Sequence, residues 1–376
     1  MDACAWIAVL ALRHPWGLSR GTAHELPTVL LRLGPDDAPL GFGEAAPVRY
    51  LHHSPDRAVA LIHALCAGIS DADREAIAYH AARARALAPD HSGARAAVDI
   101  ALWDAAARAR GLALVDHLAA EHPIAASTPR DAPDRLTRER PSATLGATVT
   151  SFTIALDSHD AMAARAREAA HLPILKIKLG KGPEFDREAL RRIAAAAPNA
   201  RLRVDANGGW SFDQARELLP WLADMRVEFV EQPLAHGQPD ALAALRPHSP
   251  LPIFADEDVQ GPETLAALRG RVDGINLKLM KCGGISPALE MIAVARSEGW
   301  RVLLGCMIES RVGLAAAAAL APRVDEADLD AHMLTQADPT PPGSQAHYTP
   351  DLPTLPGPGL GLPVLADQRW WGPRPP

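Results

Sequence analysis

The chain has 376 residues, of which 22% are charged, 48% fall in the broad hydrophobic class and only 5% are aromatic. That balance excludes a disordered polypeptide and a bundle of membrane spans, and the length suits two domains or one barrel with an appendage. A net charge of −7 lacks the basic excess of a general nucleic-acid surface, so the expected partner is a small molecule, with no nucleic acid and no membrane.

Cys4, Cys66, Cys282 and Cys306 lie far apart without a Cys-x-x-Cys pair, which fits a reducing, cytoplasmic setting. The apolar start, Ala3 to Leu12, follows an acidic Asp2 and runs into Arg13-His14-Pro15-Trp16, so it reads as a first strand rather than a secretory signal.

In chain order, strands are expected at Trp6 to Leu12, Thr28 to Leu33 and Leu40 to Glu44, with a turn over Gly34-Pro35-Asp36-Asp37. Helices follow at 55–67, 72–87 and 92–110, the last with Val98, Leu102 and Ala105 along one face. Residues 1–118 thus read as an α+β unit. Residues 119–143 are rich in proline and arginine with little periodicity, and read as a mobile connection.

From 144 to 334 short apolar strands alternate with alanine-rich helices. Strand candidates are 146–154, 174–179, 201–205, 227–231, 252–256, 273–278, 301–306 and a last one ending near Asp330; most of their C-terminal ends are 22 to 28 residues apart. Such βα units close into a parallel barrel. The tail, 335–376, reads as irregular chain returning to the first unit.

Of 38 basic residues only five are lysine, Lys176, Lys178, Lys181, Lys278 and Lys281, all in two short segments. Arginine stays protonated, whereas lysine can be tuned to exchange a proton, so the bias is either a chemical signature or a chance clustering of surface lysines. The segments coincide with barrel strand ends: Lys-Ile-Lys at 176–178, then Asp205, Glu231 and Asp256 ending three successive strands, then Lys278. Catalytic groups of a parallel barrel lie where its strands end. Three carboxylates converging there repel one another unless a cation sits among them, and Mg²⁺ is the hard cation that takes oxygen ligands and keeps positions open for substrate. The competing reading makes each acid a cap of the following helix.

Lys178 and Lys278, four strands apart, then face each other across whatever the metal holds. A carboxylate substrate on Mg²⁺ gains a more acidic α-carbon through stabilisation of its enediolate, and one lysine removes the proton while the other returns one to the opposite face. Burial beside a cation lowers a lysine pKa, and Lys176 adds a like charge.

At these residues the sequence resembles the enolase superfamily in its muconate-lactonizing branch, and most closely the dipeptide epimerases of the L-Ala-D/L-Glu kind. The resemblance runs through Gly43-Glu44-Ala45, Ala101-Leu102-Trp103-Asp104, Lys-Ile-Lys-Leu-Gly at 176–180, Val-Asp-Ala-Asn-Gly-Gly-Trp at 204–210, Glu231-Gln-Pro-Leu, Ala-Asp-Glu at 255–257, Asn276 to Gly284 and Gly305-Cys-Met-Ile-Glu309. It implies an α/β fold, a modified (β/α)7β TIM-like barrel beneath an α+β capping domain. It also implies Asp205, Glu231 and Asp256 as Mg²⁺ ligands and Lys178 and Lys278 as acid/base catalysts.

The same resemblance makes Asp328 and Asp330 the pair that holds a dipeptide's α-ammonium; two strand carboxylates at i and i+2 point to one side and suit a cation, although Asp325 and Glu326 beside them also fit a plain acidic surface. Ala331-His332-Met333 departs from the Gly/Ala-Pro-Leu common in the family. Arg20 matches the arginine that meets a glutamate side chain in Ala-Glu epimerases, or is one surface arginine among many. Thr153, Lys176 and Cys306 would line the substrate pocket, with Cys306 otherwise a buried thiol. His14, His52 and His53 fall in or near two capping loops.

The expected activity is Mg²⁺-dependent epimerisation at the C-terminal residue of a dipeptide. The alternatives are an o-succinylbenzoate synthase, N-succinylamino acid racemase or cycloisomerase of the same superfamily, and a non-catalytic ligand-binding barrel. Which dipeptide is used and whether the chain forms a homo-oligomer stay open.

Overall fold

The computed structural model describes residues 2–18, 21–35, 40–123, 146–340 and 349–363. Its first unit begins with an antiparallel sheet, β1 (Ala3–Leu18), β2 (Gly21–Leu33) and β3 (Gly41–Ala45), in that spatial order. β1 extends well past the expected Leu12. Its register against β2 shifts between Ala11 and Trp16, which lets the strand carry Pro15, a residue with no N–H for the ladder.

Four helices follow: α1 (Pro55–Cys66), α2 (Arg74–Leu87), α3 (Ser92–Ala109) and α4 (Leu114–Glu121). α3 is buried from Ser92 to Ala107, and its alanines admit β3 at backbone distance. A Cβ on Gly43 would stand 1.9 Å from the Ala97 carbonyl oxygen, so only glycine fits there. α4 continues through the expected end of the unit at residue 118, because Leu114, His117 and Leu118 still form a buried face. Much of the 119–143 connection lies outside the described residues.

The barrel strands are β4 (Phe152–Ile154), β5 (Ile174–Lys178), β6 (Arg201–Asp205), β7 (Val227–Glu231), β8 (Ile253–Ala255), β9 (Gly274–Leu277), β10 (Arg301–Gly305) and β11 (Glu326–Asp328). They pair in parallel in chain order, and a parallel bridge between Thr150 and Ala327 brings the first and last strands together. The connecting helices are α5 (His159–Glu168), α6 (Pro183–Ala196), α7 (Phe212–Asp224) and α8 (Pro239–Leu245), then α9 (Leu279–Cys282) and α10 (Ile285–Glu298) after β9, α11 (Arg311–Ala318) and α12 (Ala331–Leu334). A 3-10 stretch, Pro262–Leu268, takes the helix position between β8 and β9. The architecture is the capped α/β barrel that the resemblance implied.

Period-two alternation decides which side chains enter the barrel. Inside, fully buried Arg203 meets Glu228 (3.0 Å) and Glu326. Against it pack Phe229, Phe254 and Leu303, with the Arg203 guanidinium 5.2 Å over the Phe229 ring and the two phenyl rings stacked 4.3 Å apart. The next residues along the same strands are Asp205, Glu231, Asp256 and Gly305.

The α+β unit is fastened to the barrel by polar contacts. Ser92 donates to the Met280 carbonyl (2.7 Å), Trp103 Nε1 to Ser286 Oγ (3.0 Å), and Asp99 accepts from the Ser286 N–H (3.0 Å). Near the C-terminus the chain returns to this unit, where Leu114 N–H donates to Gly359 (2.7 Å) and Leu360 N–H to Asp104 (2.7 Å). No helix among the described residues is long and apolar enough to cross a membrane, and all four cysteines are free.

Candidate active site

Asp205, Glu231 and Asp256 end or immediately follow β6, β7 and β8, all are buried, and one oxygen of each lies within 4.8 Å of the others. None caps a helix. In the elements that follow them, α7 is capped by Ser211 in a reciprocal box with Gln214, α8 starts after Gln238 and the 3-10 stretch Pro262–Leu268 starts after Gly261, which removes the capping reading.

Each carboxylate is anchored through one oxygen from outside the cluster. Asp205 Oδ1 accepts from the Asn207 N–H (2.8 Å), Glu231 Oε1 from the Asn276 amide (2.7 Å), and Asp256 Oδ1 from the Lys281 ammonium (2.5 Å). The other oxygens face the lysines: Asp205 Oδ2 with Lys178 (2.5 Å), Glu231 Oε2 with Lys176 (2.8 Å) and Asp256 Oδ2 with Lys278 (2.9 Å). Lys178 and Lys278 therefore flank the triad from the β5 and β9 sides. Gly305 leaves room for the second of them, since a Cβ there would stand 3.0 Å from Lys278 Cε.

The electrostatics reflect crowding of acids in a dry site. Burial and the neighbouring Asp205 charge push Glu231 up to about 8. Asp205 is itself buried, but Lys178 and Lys176 bring it down to about 2. Burial pulls the Lys278 ammonium down, yet Asp256 beside it leaves its pKa above the ordinary lysine range. The expected lowering is thus absent at Lys278 while carboxylates are its partners. A divalent cation taking those oxygens would remove the partners and add a like charge. Three buried carboxylates with converging oxygens are a donor set suited to Mg²⁺.

Lys176 does more than repel Lys178. At 2% exposure its ammonium lies 2.8 Å from Asp328, 2.8 Å from Glu231 and 3.2 Å from Asp205, tying the last strand to the triad. Asp328 also accepts from Ser151 Oγ (2.5 Å), and Asp330 accepts from the Thr153 N–H (2.7 Å). The strand ends at Asp328, so the two aspartates do not share an extended i, i+2 face; Asp330 begins α12 without a side-chain cap bond. Both are buried beside the mouth, and burial together with Asp328 raises Asp330 to about 7. Cys306 donates to the Asp328 carbonyl (3.3 Å) and its thiol is driven upward chiefly by burial.

A small cleft opens beside Thr153, between His14, Pro15 and Trp16 of β1 and Phe152, Met333 and Leu334 of the barrel. Bonds to the segment after α12 hold β1 over the mouth there, Arg13 Nε to the Thr335 carbonyl (2.9 Å) and the Gln336 N–H to the Ala11 carbonyl (2.8 Å). His53 is buried and stacked on His91 (4.1 Å), a structural placement, whereas His52 holds a positive φ of 57°. Arg20 lies outside the described residues. Ser151, Asn276 and Lys281 were not singled out as site residues from the sequence. The first two stand two positions before Thr153 and Lys278, so extending the same alternation backwards would have found them.

Two family models match this architecture, the mandelate racemase/muconate lactonizing enzyme N-terminal domain over residues 4–119 and an enolase C-terminal domain-like unit over 160–368. The chain belongs to the mandelate racemase/muconate lactonizing enzyme family of the enolase superfamily. A hydrophobic dipeptide epimerase from a Flavobacteria bacterium (strain MS024-2A) is 33% identical over 94% of this chain and 96% of its own. Another from Roseobacter litoralis is 36% identical over 88% of this chain and 90% of its own. Among solved structures, a dipeptide epimerase from Enterococcus faecalis V583, complexed with Mg and the dipeptide L-Leu-L-Tyr, matches with a TM-score of 0.84 and 26% identity, covering 96% of this chain and 98% of that one.

Proposed function

We propose that this protein is a Mg²⁺-dependent dipeptide epimerase that inverts the α-carbon of the C-terminal residue by proton transfer between two lysines. The observation that carries the reading is the arrangement of Lys178 and Lys278 on either side of the Asp205, Glu231 and Asp256 triad, with Asp328 joined to it through Lys176. Dipeptide epimerases among the relatives support the substrate class.

Asp205, Glu231 and Asp256 would hold the metal, and bound Mg²⁺ supplies positive charge that makes the α-proton of a carboxylate substrate more acidic. Lys178 and Lys278, freed from their carboxylate partners, take the proton on one face and deliver one on the other. Asp328 and Asp330 receive the substrate's α-ammonium, a task that suits buried carboxylates beside a mouth. Burial around them excludes water.

The cleft between Trp16 and Met333 is walled largely by apolar side chains, which favours dipeptides carrying an apolar side chain over the acidic one that Arg20 would select. The test is proton NMR in D₂O with Mg²⁺, following loss of the C-terminal α-proton signal across L,L-dipeptides and N-succinyl amino acids. Exchange with dipeptides is expected, fastest for apolar ones. Exchange with succinylated substrates alone would replace this reading by the racemase and synthase alternative.

A further inference from the structure

We propose that Lys281 is a positioning residue that fixes Asp256 as a one-oxygen ligand of the metal triad. This inference rests on the assignment of Asp205, Glu231 and Asp256 as metal ligands.

Lys281 is 1% exposed, yet it is fully satisfied by protein acceptors. Its ammonium lies 2.5 Å from Asp256 Oδ1, 2.5 Å from the Asp256 carbonyl and 3.0 Å from the Asn276 carbonyl. Three N–H groups on three oxygens leave no donor for a substrate. The residue therefore differs from Lys178 and Lys278, each of which has a single hydrogen-bonded carboxylate partner, and it acts on the reaction only through Asp256.

The three carboxylates differ in what holds them. Asp205 and Glu231 are fixed by neutral donors, a backbone N–H and an amide, that remain in place when the lysines move. The side-chain oxygens of Asp256 meet two lysines, and one of these, Lys278, is the proposed acid/base. Once Lys278 turns to the substrate, Lys281 is what keeps Oδ1 fixed and leaves Oδ2 toward the centre. The single turn of α9 after β9 brings the ammonium back to the end of β8, and bonds to the Asp256 and Asn276 carbonyls join the two strand ends.

The experiment is Mg²⁺ titration by calorimetry, without substrate, of the full chain and of K281M, D256N and the double variant. The expected result is about tenfold weaker Mg²⁺ binding for K281M, the scale on which partners of metal ligands act, and less than a twofold further loss when K281M is added to D256N. Binding by K281M within twofold of the parent, or equal losses in both backgrounds, would overturn the proposal. If K281M does not fold, K281R takes its place in the same cycle, since a planar guanidinium keeps the charge but cannot reproduce the three-way contact. A parent chain that binds no Mg²⁺, or D256N that binds it as tightly, would instead overturn the metal assignment and this inference with it.

Discussion

Glu44 on β3 accepts from both the N–H and the hydroxyl of Ser310, at 2.9 and 2.6 Å, and so closes the N-terminus of α11 across the boundary between the α+β unit and the barrel. The Gly313 N–H (2.8 Å) and Thr28 Oγ1 (2.6 Å) complete its shell. Four donors converge on one buried carboxylate at a helix start, where negative charge is favoured. The contact holds the cap over the mouth of the barrel. Glu44→Ala is expected to cost about 3 kcal/mol by stranding these donors. Chemical denaturation would show it, and a loss below 1 kcal/mol would mean that the donors find water instead.

Glu309, in the same loop, is pushed up to about 8 by burial and by the Glu44 charge. The folded state therefore holds a proton that the unfolded chain releases near 4.5. Its contribution to stability is fully present below pH 4.5 and is lost as pH rises from there through about 8. Glu309→Gln should flatten that decline and make the variant more stable than the parent above pH 8, by roughly 1 to 3 kcal/mol. Parallel stability curves for the two proteins from pH 5 to pH 9 would contradict the assignment.

The two lysines should separate by face. Lys178→Ala and Lys278→Ala are each expected to lower epimerisation by about 100-fold or more. In D₂O, each variant should keep residual α-proton exchange with only one of the two epimers, and the retained epimer should differ between them. Residual exchange with the same epimer in both variants would exclude opposite-face transfer.

Mg²⁺ should stabilise the fold through the triad. At 100 times its dissociation constant the gain is about 2.7 kcal/mol, visible as a rise in thermal midpoint. Glu231→Gln should abolish most of that rise while leaving the midpoint in EDTA close to the parent's, because the Glu231 carboxylate is strained toward protonation by burial and Asp205. An undiminished rise in the variant would move the metal elsewhere.

The barrel and the ring of charged strand ends were legible in the sequence because both are local. A parallel strand shows itself by composition and spacing, and period two then assigns Asp205, Glu231, Lys178 and Lys278 to one interior without knowledge of the neighbours. Where alternation stops, the reading failed: β11 ends at Asp328, so Asp330 reaches the mouth by a turn and not by the strand. Only the tertiary structure decided what each charge meets. Lys176 on three carboxylates, Lys281 on Asp256 and Glu44 on Ser310 join residues separated by 55, 25 and 266 positions in at least one contact each. Such pairings depend on which elements the hydrophobic core brings together, and a burial pattern specifies a face without naming its partner.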